Sequence, residues 1–179
     1  KIVLPKSPTA IDQAIATTRS LSANLSPPVL KEESLDKALD WLAERMKKDY
    51  NLTVHVRTAG SLTVSERDIR VLLFNLVREL LFNVVKHAGV DEAAVEATTT
   101  AGFISLSVED DGKGFDPQDQ NLETSGMGLG SVRKRLDALG GDLEIQAAPG
   151  EGTRVTLHAP LDSSSKLVEV ETISPEPFA

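Results

Sequence analysis

The sequence predicts an α+β fold, a two-layer sandwich with helices on one face of a mixed, mostly antiparallel sheet, and three observations lead to it. Apolar residues recur at helical spacing up to Gly89 and at a spacing of two beyond it. The segments run in the order helices, hairpin, helix, hairpin, which segregates the helices to one side of a sheet. The chain has 179 residues, 40% of them hydrophobic, enough for one sizeable core and a small appendage.

The elements follow in order. Residues 8–25 place Ile11, Ile15, Thr18, Ser22 and Leu25 at spacings of three and four, a weak amphipathic helix ended by Pro27-Pro28. Spacing alone leaves open whether it packs internally or faces a partner. A second helix starts after Ser34, its expected N-cap, with Leu35, Ala38, Leu39, Leu42 and Met46 as its stripe. Leu52–Arg57 alternates like a strand. The longest helical pattern runs from near Ser65 to about His87, with Ile69, Leu72, Leu73, Leu76 and Leu80 on one face, and Gly89 stops it. Strands are expected near 93–99, 103–110, 141–147 and 153–159, with a helix of about 131–139 closed by Gly140-Gly141. This gives three parts: 1–28, the end of a helix and a junction; 29–161, the main domain; and 162–179, a linker or frayed tail rich in Ser, Pro and Glu. No internal repeat is visible.

A formal net charge of -8 argues against direct nucleic-acid binding, which relies on many Lys and Arg contacts to phosphates. The absence of cysteine removes disulfides, thiolate metal sites and cysteine nucleophiles together. No run of about 18 apolar residues and no signal-peptide pattern occurs, so the segment is expected to be soluble and cytoplasmic. A first residue of Lys1 leaves room for a larger, membrane-anchored parent.

Chemistry concentrates in four segments. On a helix turning by roughly 100° per residue, Glu79, Asn83 and Lys86 fall within about 60° of one another. Their face continues the stripe of Leu72 and Leu76, so the core side turns from apolar to acid, amide and base. A salt bridge from Glu79 to a basic neighbour is one way to satisfy it. A cavity is the other, with the Asn83 amide oxygen offered to Mg²⁺ and Lys86 to phosphate oxygens.

In Val108-Glu109-Asp110-Asp111-Gly112-Lys113-Gly114, the period of two set by Ile104, Leu106 and Val108 carries Asp110 to the core side. An ionised carboxylate only accepts hydrogen bonds, so it suits an exocyclic amine such as that of adenine. Gly112 and Gly114 would let a flat ring approach the backbone, although Asp-Gly is also ordinary turn chemistry. Gly126-Met127-Gly128-Leu129-Gly130 precedes a helix whose N-terminal amides can receive an anion, and a flexible hinge is the alternative. It is not a Walker A loop, since neither Lys-Ser nor Lys-Thr follows. The polar stretch 115–125, containing Pro117, reads as a lid. Gly150-Glu151-Gly152-Thr153 is a hairpin turn whose Thr153 hydroxyl can face a pocket floor.

Together these four segments resemble the N, G1, G2 and third glycine boxes of the ATP-binding domains shared by DNA gyrase, MutL and histidine kinases. Within that superfamily, Arg78–Ala88 and Gly128–Arg135 look like the NarX and DesK type of bacterial sensor histidine kinase, and Leu25-Ser26-Pro27-Pro28-Val29-Leu30 supports the same branch. The resemblance covers about residues 8 to 161. It implies ATP and Mg²⁺ as ligands, with Glu79 as the catalytic base and Asn83 as the metal ligand. The implied nucleotide contacts are Asn83, Lys86, His87, Asp110, Gly112, Gly114, Gly126, Gly128, Leu129, Gly130 and Thr153.

The resemblance further implies that residues 8–25 end a dimerisation helix and that the γ-phosphate passes to a histidine of the dimerisation and phosphoacceptor domain. The parent would be a homodimer acting on a response regulator with a DNA-binding output domain. His55, His87 and His158 lack the acidic residue that follows a phosphoacceptor, so the histidine lies outside this chain. Gyrase-like ATP hydrolysis, a non-catalytic nucleotide-sensing module and an anti-sigma-type serine kinase are the alternatives; the helix at 8–25 and the Pro27-Pro28 junction favour the first reading.

Overall fold

The computed structural model describes residue 30 and residues 34–60, 62–100, 102–118 and 128–161. The expected helix over 8–25, the tail over 162–179, most of the 115–125 stretch and Gly126 lie outside the described residues.

Helix α1 spans Leu35–Tyr50 and buries the expected stripe of Leu35, Ala38, Leu39, Leu42 and Met46. Ser34 sits at its N-cap with extended backbone, but its hydroxyl donates to Asp36 Oδ1 at 2.5 Å. The serine thus stands at the N-cap by backbone position, without a side-chain bond to the helix amides. Strand β1 (Thr53–Ala59) follows and leads into helix α2, Arg67–Asn83.

Strand β2 (Glu92–Thr100) runs parallel to β1, which requires a crossover, and α2 is that crossover laid across the sheet. Strand β3 (Phe103–Asp110) pairs antiparallel with β2. Helix α3 (Leu129–Asp137) then leads to β4 (Asp142–Ala147) and β5 (Thr153–Pro160). The sheet order is β1-β2-β3-β5-β4, mixed through one parallel pair, as the sequence predicts.

The alternation of side chains separates two faces. Val95, Ala97, Ile104, Leu106, Val108, Val155 and Leu157 lie in the core with the buried residues of α1, α2 and α3. The opposite face is polar. Arg57 and Arg154 both pair with Glu96, at 3.1 and 3.3 Å, and Arg154 also pairs with Glu109. Like-sided charges alternating across adjacent strands satisfy that face in water.

Arg70, in the first turn of α2, is buried and has no carboxylate partner among the described residues. Its guanidinium donates to the carbonyls of Leu30, at 3.2 Å, and of Val64. Leu35 N–H also donates to Leu62 O at 3.0 Å, so the chain preceding α1 and the loop preceding α2 are fastened together. These contacts fix where α2 begins, and its far end carries the site.

Candidate functional site

The last turn of the expected long helix is not α-helical. Val84–Ala88 forms a π-helical turn continuing α2, stopped by Gly89. A π-turn closes from i to i+5, so more residues fill each turn and the position four residues on, not three, stays on a given face. Asn83 and His87 therefore share one side, and Lys86 is turned out to solvent. The sequence expectation for Lys86 rests on α-helical rotation, and the π-turn places its side chain exposed at the edge of that face.

Asn83 and His87 open onto a cavity of about 110 Å³. One wall is apolar, from Leu80 of α2, Val84 of the π-turn, Val108 and Val155 of the sheet, and Phe115. Polar groups converge on it from separate segments: Asn83, His87, Asp110, Lys113 and Thr153. His87 Nε2 is buried without a hydrogen-bond partner among the described residues, a costly arrangement unless the cavity receives a polar ligand.

Asp110 ends β3 directly opposite Thr153 at the start of β5. The two side chains stand side by side because the core-facing period continues through both strands. Asp110 is only 8% exposed and accepts one hydrogen bond, from the Gly112 N–H to Oδ1 at 2.9 Å. Burial pushes its carboxyl above the usual range, the Gly112 N–H opposes this, and Asp111 and Glu109 add to the rise.

The turn after Asp110 is clamped on both sides. Lys113 N–H donates to Ala88 O at 3.0 Å, and the Lys113 carbonyl accepts from Gly150 N–H at 2.7 Å. Three chain segments thus meet at one residue. Gly114, with φ 54, packs against the carbonyl of Ala148 where a Cβ has no room, and a Cβ on Gly112 would lie 2.6 Å from Ala88.

Gly128 is the N-cap of α3 in a left-handed conformation, φ 66, and its carbonyl accepts the Ser131 and Val132 amides at 2.9 and 3.0 Å. Leu129 lines the main cavity, while Gly128 and Gly130 border an adjoining hollow with Ser131, Arg133 and Lys134. Glu79 does not line the cavity. Its carboxylate is paired with Arg135 of α3, and a Cβ on Gly128 would lie 2.6 Å from Glu79 Oε1. The salt-bridge option for Glu79 is therefore realised, with a partner 56 residues along the chain and not a local one.

Sequence reasoning missed Lys113, Phe115 and Arg135 as members of this region. Lys113 stands inside the Asp110–Gly114 segment, so its signal was present; Arg135 carries none, because no spacing rule relates it to Glu79.

The cavity is thus bounded by a helical layer over a mixed sheet, with a buried carboxylate, an apolar wall and a glycine-led helix N-terminus around it. Residues 68–163 match the model of the histidine kinase-, DNA gyrase B- and HSP90-like ATPase family, and the chain belongs to that family. Its branch follows from its relatives. The chain is 27% identical over 151 residues to the sensor histidine kinase ComP of Bacillus subtilis and 30% identical over 151 residues to the oxygen sensor histidine kinase NreB of Staphylococcus carnosus. Both are sensor histidine kinases. Each match covers 84% of this chain but only 20% of ComP and 43% of NreB, so the chain spans less than half of these relatives.

Solved structures agree on the fold. A blue-light activated histidine kinase of Erythrobacter litoralis EL346 superposes with a TM-score of 0.65 at 19% identity, covering 92% of this chain and 64% of that one. The ATP-binding domain of PrrB from Mycobacterium tuberculosis gives 0.60 at 21% identity, covering 71% of this chain and 93% of that one. Among the described residues, no helix is long and apolar enough to cross a membrane.

Proposed function

We propose that this chain binds Mg²⁺–ATP in the cavity and donates the γ-phosphate to a histidine of the parent kinase's dimerisation domain, as a step of two-component signalling. The observation that carries the reading is Asp110, a buried carboxylate standing against an apolar wall with one protein donor. A carboxylate so placed accepts from an amine, and the exocyclic amine of adenine is the group that fits. Leu80, Val84 and Phe115 sandwich the ring, and the Thr153 hydroxyl beside Asp110 supports the same edge.

The phosphates would extend toward Leu129, where the α3 amides, Gly128 and Gly130 would receive them, and Gly126 remains an expected contact from the sequence alone. Asn83 is the chain's metal ligand. An ion held chiefly by phosphate oxygens would be completed by the one amide oxygen of Asn83. Mg²⁺, when bound, neutralises charge on the transferred phosphoryl group. Glu79 is the base for the incoming histidine, and the phosphoryl donor and acceptor are brought together by positioning.

On this reading residues 1–28 end the dimerisation helix and its junction, 29–161 form the catalytic domain, and 162–179 form a linker. The supporting feature is one hydrophobic core extending from Leu30 to Ala159. The parent would dimerise through its helical domain, pass phosphate to a response regulator with a DNA-binding output domain and work in the cytoplasm. Calorimetry with ATP and ADP tests the cavity: both should bind, and Asp110→Asn should weaken both. Unchanged affinity in a folded Asp110→Asn protein sinks the assignment.

A further inference from the structure

Helices α1 and α2 run side by side in the same direction. Their starts are fastened together, with the Leu35 N–H on the Leu62 carbonyl and the Arg70 guanidinium on the carbonyls of Leu30 and Val64. Two ring contacts follow along the seam: Trp41 with Phe74, centroids 6.2 Å apart, and then Tyr50 with Phe82, edge to face at 5.1 Å. A groove follows this seam, lined by Trp41, Arg45, Met46, Tyr50, Arg78 and Phe82. Tyr50 remains 47% exposed in it. Tryptophan, tyrosine and arginine dominate binding hot spots, and the groove holds the chain's one Trp, its one Tyr and two arginines.

Where the chain enters the domain points to what covers the groove. Leu30 is buried and its carbonyl accepts from Arg70 Nε at 3.2 Å, so the chain arrives at the starting end of the seam. At 1.5 Å per helical residue, the seam runs about 18 Å from Arg70 to Phe82. Five residues lead from Leu25 to Leu30, an extended reach of about 17 Å. Residues 8–25 lie outside the described residues; as the helix that their spacing predicts, they would add about 27 Å. Folded back from Leu30, they are long enough to cover the groove from Trp41 to Tyr50. Asp12 and Arg19 cancel, so no net charge sets the segment against an acidic domain.

We propose that residues 8–25 of the same chain seat their stripe of Ile11, Ile15, Thr18, Ser22 and Leu25 in the groove between α1 and α2. At roughly 100° per residue the stripe is about 80° wide, too narrow to face the groove and a second helix at once. On the dimerisation-helix reading above, seating therefore competes with dimer formation and belongs to the single chain. The seat itself does not depend on the nucleotide reading.

Trp41 is the chain's one tryptophan and lines the groove, so its fluorescence reports the seat without a label. Acrylamide quenching is measured on the full chain and on its Ile15→Asp and Gln13→Asp variants, at concentrations where sedimentation gives a monomer. Ile15→Asp puts a carboxylate into the stripe and should raise the quenching constant roughly twofold, because an unpaired charge resists burial against apolar side chains. Gln13→Asp adds the same charge on the opposite side of the helix and should leave the constant unchanged. Neither position belongs to the described core, so both variants keep the domain that carries Trp41. No change in Ile15→Asp, or an equal rise in Gln13→Asp, overturns the proposal. So does wild-type quenching that falls as the protein is concentrated, since a second copy would then be what covers Trp41.

Discussion

Glu79 of α2 and Arg135 of α3 form an ion pair across 56 residues of sequence, and it ties the helix bearing Asn83, the proposed metal ligand, to the helix that begins at the glycine loop. Arg135 is braced in turn, since its Nε donates to the Ser131 carbonyl at 3.1 Å. The proposed base is therefore held beside Gly128, outside the cavity wall but next to the segment proposed to receive the phosphates.

This geometry separates charge from backbone shape. Glu79 and Arg135 side chains remain 31% and 37% exposed, so solvent screens their attraction and Arg135→Gln should cost less than about 1 kcal/mol. Gly128→Ala should cost more, about 1–2 kcal/mol for the left-handed backbone alone, with a contact on Glu79 added. Urea denaturation of the two variants checks the order. A larger loss in Arg135→Gln would mean that the pair is a structural clamp.

Asp110 makes a stability prediction of opposite sign to its binding prediction. Burial raises its folded-state pKa above the ordinary 3.8, so between the two values the folded state holds a proton that the unfolded chain has released. Stability then falls as pH rises through that window, and the deficit persists at neutral pH. Asp110→Asn keeps an oxygen for the Gly112 N–H and removes the buried charge. It should raise the urea midpoint at pH 7 while weakening nucleotide binding. A lower midpoint would show that the carboxylate stabilises the fold, contrary to the burial argument.

Much of this was legible in the sequence because period decides element type. Residues 103–110 match β3 without error, and the stripe of Leu35, Ala38, Leu39, Leu42 and Met46 is the buried face of α1. Asp110 was placed on the core side by the same count of two that places Val108. What failed was local geometry that hydrophobic spacing does not encode. The π-turn at Val84–Ala88 changes rotation without changing the apolar pattern, and of the two expected contacts in that turn His87 lines the cavity while Lys86 stands exposed. Arg135 was out of reach because a pairing between two helices depends on how they pack.

The metal and the base should separate by substitution. Asn83→Ala removes the amide oxygen proposed to complete the ion's coordination, so nucleotide affinity should lose its dependence on magnesium. Glu79→Gln retains the side-chain shape beside Gly128 and should leave binding intact while slowing turnover. Titrations at increasing magnesium concentration decide the first part. Equal magnesium dependence in the wild type and Asn83→Ala would remove Asn83 from the ligand set.

The isolated chain should not phosphorylate itself on histidine. His55 lies exposed on β1, 3.6 Å from Glu92, and His158 pairs across the sheet with Ser105 and Asp142 on the polar face. His87 lines the cavity, where its ring is proposed to contact the nucleotide and not to attack it. Incubation with radiolabelled ATP should therefore give at most slow hydrolysis and no acid-labile phosphoprotein. A longer chain carrying the preceding helix and its histidine should gain both dimerisation and label, because a helical hairpin with both members can bury a bundle core. Acid-labile phosphate on His55, His87 or His158 would overturn the division of labour between this domain and its partner. If the longer chain binds ATP and still takes no label, the nucleotide serves sensing or hydrolysis, and Glu79 acts on water.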